Sequence, residues 1–349
     1  MIELLRLQQQ LAKHQVSHFL VSNLHNVQYL SGLQSTNALV LLAPEHIYLY
    51  TDPRYASEIT STSEMSVRIG RDLLSLMSND VGDIDVLYVD ETLSYMQFQK
   101  LATLLPDVRI ETKPKLIEEL RVIKTSFEIQ QIEAACEITS EVWRRLITEP
   151  FIGQTEKSLA RRIHSLVLEL GGDGLAFDSI VAAGVNSASP HHTPTEYVIR
   201  RGDFIKCDFG AMKSGYHSDM TRMAIAGVAA AWQQEIFEIV TSAQSAGVAA
   251  IHTGVSSRVI DDAARSVIES AGYRDSFTHP TGHGIGLEIH EIPIHGSQDI
   301  TLCPSMTLTV EPGIYLEGKG GVRLEDTLVV LEAGTKNLTM ASKALAEVE

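Results

Sequence analysis

Short apolar runs closed by polar or turn-forming residues recur through the first third of the chain: HFLVSN (18–23), ALVLLAP (38–44), HIYLYT (46–51) and DVLYVD (85–90). Runs of this length and composition predict buried strands. The amphipathic stretch MIELLRLQQQLAKHQ before them predicts a helix, and helical spacing returns near 53–60, 93–104 and 115–134. This alternation predicts an α/β domain. From Pro114 the pattern stays helical through SEVWRRLI, with no further Gly or Pro. Thr125 or Ser126 is placed to cap a new helix there, with Glu128 in its first turn. The junction therefore falls near 113–124, dividing the chain into residues 1–120 and 121–349.

The second domain carries an internal echo. Gly153 and Thr155 open a helical stripe of Leu159, Ile163 and Val167 that stops at Gly171. Gly254 and Ser256 open another, of Ile260, Ala264 and Ile268, that stops at Gly272, at a constant offset of 101 residues. Each has a hydroxyl cap, an i, i+4, i+8 apolar face and a terminal glycine. The repetition predicts an α+β domain with a pseudo-two-fold duplication, helices outside and strands between.

Composition narrows the function. The 349 residues, 44% apolar, suffice for two cores. With 28 basic against 44 acidic residues the net charge is −16, which disfavours nucleic acid and anionic membrane as partners. Cys136, Cys207 and Cys303 are widely spaced and form no thiolate zinc pattern or disulfide framework. No stretch is apolar for long enough to span a bilayer or to read as a signal peptide. A reducing cytoplasm is the expected location.

Two segments place acids inside apolar strands. FIKCDFGAMKSGYHSDMTR reads as a hairpin with its turn at Met212–Gly215, which would set Asp208 opposite Asp219. TVEPGIYLEGKGGVRLEDTLVV reads as a second hairpin centred on Gly318, setting Glu311 opposite Glu325. Facing carboxylates lie roughly 5 Å apart and repel, and an acid in an apolar strand is costly unless compensated. A divalent cation removes both costs; solvated surface hairpins are the alternative. Between them, HPTGHGIGLEIHE supplies His279, His283 and His290, with glycines flanking His283 that permit close approach. Four carboxylates and an imidazole form an oxygen-rich set that favours manganese or magnesium, and shared carboxylates can bridge two ions. Such a pair activates water and polarises a carbonyl, which is machinery for amide or ester hydrolysis. Phosphate chemistry lacks a P-loop or basic cluster here.

Together PHHTP, DFGA, GYHSDMTR, GHGIGLEIHE, TVEPGIY and GVRLEDT, in this order, resemble the pita-bread metallopeptidases: Xaa-Pro aminopeptidases, Xaa-Pro dipeptidases (prolidases) and methionine aminopeptidases. NVQYLSGLQSTNALVLL and TDPRY resemble the amino-terminal domain of the Xaa-Pro branch. The resemblance implies a creatinase/prolidase-like first domain and a catalytic second one. It implies two divalent metal ions, manganese foremost with cobalt, zinc or iron(II) as alternatives, held by Asp208, Asp219, His283, Glu311 and Glu325. Asp219 and Glu325 would bridge them, and Glu311 would also shuttle a proton. His191, His279 and His290 would hold the scissile carbonyl and help place proline. Arg323 matches an arginine near the bridging glutamate, and Phe177 and Tyr216 are candidate pocket walls. The implied substrates are short peptides with proline second; the implied assembly is a homodimer.

One departure matters. Dipeptidases of the family carry an arginine shortly after the HE-x-P element to clamp the product carboxylate. No Arg or Lys occurs between His290 and Glu311 here; Ile294 and His295 stand in its place. This favours longer Xaa-Pro peptides, with His295 as a partial substitute. The alternatives are a methionine aminopeptidase, which usually lacks a first domain of this kind, and a non-catalytic peptide-binding module, against which the five intact ligand types argue.

Overall fold

A computed structural model of the chain describes residues 4–59 and 65–349. Its packing divides into two units between Arg121 and Val122.

The first unit is a mixed six-stranded sheet with helices. Its strands are β1 (Phe19–Val21), β2 (Ala38–Leu42), β3 (Ile47–Thr51), β4 (Ser66–Ile69), β5 (Val86–Val89) and β6 (Arg109–Thr112), in the order β4-β3-β2-β1-β5-β6. Helices α1 (Leu4–Lys13), α2 (Leu24–Ser31), α3 (Leu73–Ser78), α4 (Tyr95–Leu104) and α5 (Glu118–Arg121) connect or flank them. The four apolar runs form the central strands, and Leu20, Leu41, Tyr50, Leu87 and Val89 are wholly or almost wholly buried. The edge strands β4 and β6 were not expected: SVRI and RIET are short and charged, as edges that resist further pairing tend to be. Helix α2 starts where the Asn23 side chain accepts the His25 and Asn26 N–H groups and stops at left-handed Gly32. The helix expected over 53–60 shrinks to one 3-10 turn, Pro53–Tyr55, fixed by Asp52 accepting the Arg54 N–H; position 60 lies outside the described residues. The helical stretch over 115–134 divides in two at the cap expected at Thr125 or Ser126. A capping box between Thr125 and Glu128 holds Thr125 extended, so α5 ends and α6 (Ser126–Leu146) begins anew.

The second unit continues with α7 (Glu156–Glu169), α8 (Ala231–Ala249) and α9 (Arg258–Ser270). Its first-half strands are β7 (Gly174–Leu175), β8 (Ile180–Ala183), β9 (Phe204–Phe209), β10 (Ala211–Lys213), β11 (Tyr216–His217) and β12 (Met220–Ala226). The second half supplies β13 (His283–Gly284), β14 (Glu291–Ile294), β15 (Thr307–Val310), β16 (Gly313–Leu316), β17 (Gly320–Arg323), β18 (Asp326–Val330) and β19 (Thr335–Asn337), and β20 (Ala346–Val348) ends the chain's fold. The two larger sheets run β20-β12-β9-β8 and β14-β13-β15-β18-β19, and two smaller ones are β11-β10-β7 and β16-β17. The internal echo is structural. Gly153 and Gly254 both have positive φ (86° and 88°), as do Gly171 and Gly272 (84° and 88°), so that Gly153 and Gly171 bracket α7 and Gly254 and Gly272 bracket α9. Thr155 caps α7 as expected, whereas the N-cap of α9 is Ser257, not Ser256, and makes no side-chain cap bond. Both helices bury the apolar stripe completely. Trp143, Leu159 and Ile163 pack with Val181, Cys207 and Phe209 in one core, and Ile236, Val240, Ala264 and Ile268 pack with Phe204, Met223 and Ile225 in another. Strands β9 and β12 thus lie between two helical layers and are buried on both faces, which is why their acids stand out.

Candidate metal and catalytic site

Strand β9 carries Asp208 in a fully buried run, and β12 pairs with it antiparallel. The register sets Thr221 opposite Asp208 and Met220 opposite Phe209. Asp219 is therefore not directly across from Asp208, as the hairpin reading had it. The tight turn is Ser214–Gly215, both at positive φ (52° and 84°), because a two-residue turn of this hand needs that conformation twice. The shift is by two positions, so the side-chain alternation keeps both acids on one face. At Gly210 the chains approach so closely that a Cβ would sit 1.8 Å from the Ser218 carbonyl oxygen.

The second hairpin has the expected centre. Val310 pairs with Asp326 and Gly313 with Arg323 in one register, and Gly318 (φ 70°) lies at the turn. Glu311 and Glu325 occupy facing positions in an interruption of the ladder, where Pro312 has no N–H to donate. His283 comes from β13. Its Nδ1 faces the Gly284 carbonyl at 2.9 Å and must carry the proton, so the Nε2 lone pair points away. That Nε2 lies 3.6 Å from Asp219 Oδ2 and 3.6 Å from Glu311 Oε1.

Ligand atoms of Asp219, His283 and Glu325 all lie within 4.8 Å of one another. Asp208 Oδ1, Asp219 Oδ1 and Glu325 Oε1 are buried without a hydrogen-bond partner. Burial, reinforced by neighbouring carboxylates, pushes the Asp219 and Glu325 pKa values well above the ordinary carboxylate range. Burial also raises that of Glu311, although His283 and Arg323 oppose it. Buried acids with unshared lone pairs fit hard divalent cations. The residues present therefore suit the metals their pattern implies.

Arg323 ties the cluster together. It pairs with Asp208, donates to Tyr315 Oη (2.9 Å), the Pro190 carbonyl (3.0 Å) and Thr221 Oγ1 (3.0 Å), and Thr221 in turn donates to Glu325 Oε2 (2.8 Å). Lys206, also buried, donates to the Ser187 and Pro190 carbonyls (3.3 and 3.2 Å) and to that of Ser189 (2.5 Å). Burial and the Arg323 charge hold its pKa well below the lysine range.

These groups face a cavity of about 370 Å³ lined by all five candidate ligands, Arg323, His191, His290, Phe177, Ile289 and Pro194, among others. Burial, aided by Arg323, lowers the His191 pKa; burial and His283 bring that of His290 down to about 4. Three expectations need correction. Tyr216 is not on the cavity wall: it packs edge-on against Phe127, with its hydroxyl 3.3 Å from Glu128. His279 is not on the wall either. Its Nδ1 donates to the Pro280 carbonyl, its Nε2 accepts from Tyr315 Oη at 2.8 Å, and Tyr315 Oη in turn accepts from Arg323. His295 is wholly buried, bonded to the Thr309 carbonyl, and faces no substrate space. Sequence reasoning missed Lys206, Thr221 and Tyr315. A lysine inside FIKCDF was the available signal for the first; the other two show only once the register is known.

Two family profiles cover most of the chain: metallopeptidase family M24 at residues 130–332 and the creatinase/prolidase N-terminal domain at 4–123. An Xaa-Pro dipeptidase of Pyrococcus horikoshii is 33% identical over 95% of both chains. Among solved structures, an Xaa-Pro dipeptidase from Bacillus anthracis superposes with a TM-score of 0.95 at 33% identity, covering 98% of each chain. An X-Pro aminopeptidase from Thermotoga maritima gives 0.89 at 31% identity, covering 98% of this chain and all of the other. With the site's geometry and these matches together, the chain belongs to metallopeptidase family M24.

Proposed function

We propose that this protein hydrolyses the Xaa-Pro bond of short peptides, releasing the N-terminal residue, with two divalent ions held by Asp208, Asp219, His283, Glu311 and Glu325. The observation that carries this reading is the convergence of buried, unpartnered carboxylate oxygens on one cavity. When bound, the ions polarise the scissile carbonyl and lower the pKa of water. Manganese suits the oxygen-rich donor set, with cobalt, zinc and iron(II) as alternatives.

The chain's own residues divide the remaining work. Acids in the cavity attract the substrate's free ammonium. His191 and His290, held neutral by their surroundings, can each offer an N–H to the carbonyl oxygen without adding a competing charge. Glu311, its side chain 17% exposed and its pKa raised, is suited to accept a proton and return it to the leaving nitrogen. A proline nitrogen has no N–H and a fixed φ, so recognition must use the amine, the carbonyl and the ring. Phe177, Ile289 and Pro194 supply apolar wall for that ring.

Among the described residues, the cavity wall includes no lysine, and its arginine, Arg323, is already engaged. This supports peptides longer than two residues, whose carboxylate needs no clamp. A homodimer in a reducing cytoplasm fits the family analogy and three unpaired cysteines. No helix among the described residues is long and apolar enough to cross a membrane.

The test is a panel of Ala-Pro, Ala-Pro-Ala, Ala-Ala-Ala and Met-Ala-Ser assayed with chelator-stripped protein before and after manganese, cobalt or zinc is restored. Metal-dependent cleavage of Ala-Pro-Ala is expected. Preference for Met-Ala-Ser would favour a methionine aminopeptidase, and failure to bind metal would favour a peptide-binding module.

A further inference from the structure

The stretch of wall that carries His191 belongs to an irregular segment, 184–195, that follows β8 at Ala183 and has one 3-10 turn at Gly184–Ala188. Such a segment has little of its own to fix it. Gly321 donates to Ser187 Oγ in its first half (2.9 Å), and both its ends are held by Glu156, the first residue of α7, whose side chain is 0% exposed. Oε1 accepts the Ala183 N–H at 2.7 Å and the Asn186 side-chain amide at 3.0 Å. Oε2 accepts the Thr195 N–H at 2.8 Å, the Thr195 hydroxyl at 2.7 Å and His192 Nε2 at 2.8 Å. One carboxylate thus gathers donors from both ends of the segment. Lys206 and Arg323 hold carbonyls from its middle.

This is costly for a purely structural device. A buried ion requires nearly every lone pair to be satisfied, and an apolar side chain would fill the same space without that requirement. The site is prepared for the charge: the helix N-terminus favours it, and although burial would raise the pKa, the bonds from Ala183, His192, Thr195 and Asn186 hold it below the ordinary range. What the carboxylate provides is direction. It sets His191, His192, Thr193 and Pro194 as one rigid piece of cavity wall.

We propose that Glu156 is a positioning residue for hydrolysis, acting through His191 by clamping both ends of the segment that presents it. The proposal rests on the reading of His191 as a group that meets the substrate carbonyl. Displacing such a group by about 1 Å can cost up to about a hundredfold in rate.

The test uses the metal-loaded protein and Glu156→Gln. Glutamine keeps the shape and an acceptor for Ala183 and Asn186, but sets its amide donors against the Thr195 N–H. We expect kcat on Ala-Pro-Ala to fall about tenfold or more with KM little changed. In a His191→Ala background, adding Glu156→Gln should cost less than about twofold further. Hydrogen exchange across 183–195 should quicken, while exchange in α6 stays as in the parent. Thr195→Val, which removes one donor and leaves the carboxylate, should shift the same quantities in the same direction by less, and it serves if the glutamine variant does not fold. Wild-type kcat with unaltered exchange overturns the proposal; so does an equal loss with and without His191. If the parent cleaves no Xaa-Pro peptide, the substrate reading alone has failed. The exchange measurement, and the same cycle on whichever peptide is cleaved, then still decide the role of Glu156.

Discussion

Removing a charge from the acidic cluster should stabilise the metal-free protein while disabling the loaded one. Asp219 and Glu325 present oxygens within 4.8 Å of each other. At that distance and an effective dielectric of about 20, two full negative charges repel by roughly 3.5 kcal/mol. Uptake of a proton relieves part of this, so Asp219→Asn should recover about 1–3 kcal/mol at pH 8 without metal. The new amide can also donate to a neighbouring carboxylate. The sign follows from linkage. The folded-state pKa of Asp219 is raised above its unfolded value, so between these values the folded state holds more protons, and stability falls as pH rises through that window. The variant should therefore flatten the pH dependence as well. The assay is urea unfolding of chelator-treated protein, followed by the fluorescence of Trp143 and Trp232, at several pH values from 5 to 8. Restoring manganese should reverse the ranking, because only the parent gains full binding energy. The reasoning is refuted if the metal-free variant is less stable than the parent at pH 8, or if manganese stabilises both equally.

Arg323→Met leaves the buried Asp208 carboxylate without its cation; unfolding free energy should drop by about 3–5 kcal/mol, with activity lost at temperatures where the protein remains folded. Burial brings the His295 pKa down to about 4, so its contribution is complete above the unfolded value near 6.5 and declines as pH falls towards 4. In chelator-treated protein, His295→Gln should remove about 2–3 kcal/mol of that acid sensitivity, read as a shallower fall of the urea midpoint between pH 6.5 and 4. Gly210→Ala forces Ser218 away from a Cβ placed 1.8 Å from its oxygen; a loss of about 2–4 kcal/mol and weaker metal uptake by titration are expected, since Asp219 is the next residue.

The sequence made the site more legible than the scaffold that orients it. Gly318 and its glycine neighbours marked one hairpin centre, and Glu311 and Glu325 faced each other as a result. The other turn lies within the expected MKSG but is centred one residue later, because nothing there announces that Ser214 will adopt positive φ. The two aspartates still share a face because a displacement of two positions preserves strand alternation. Tyr216 was misread for a different reason: its partners Phe127 and Glu128 lie far away in sequence on α6. His279 was placed at the site by family resemblance and His295 because it stands where a clamping arginine is expected, but burial and their hydrogen bonds decided where they face. In the first unit, central strands were clear from apolar runs, whereas β4 and β6 carry the charges that keep edges unpaired and so resemble loops.

The duplicated layout has a consequence for how the protein acquires its ions. Asp208 and Asp219 come from the hairpin that follows α7, whereas His283, Glu311 and Glu325 come from the elements that follow α9. Neither repeat alone assembles a full coordination shell. On the proposed ligand set, tight metal uptake therefore requires both halves of the second unit to be folded.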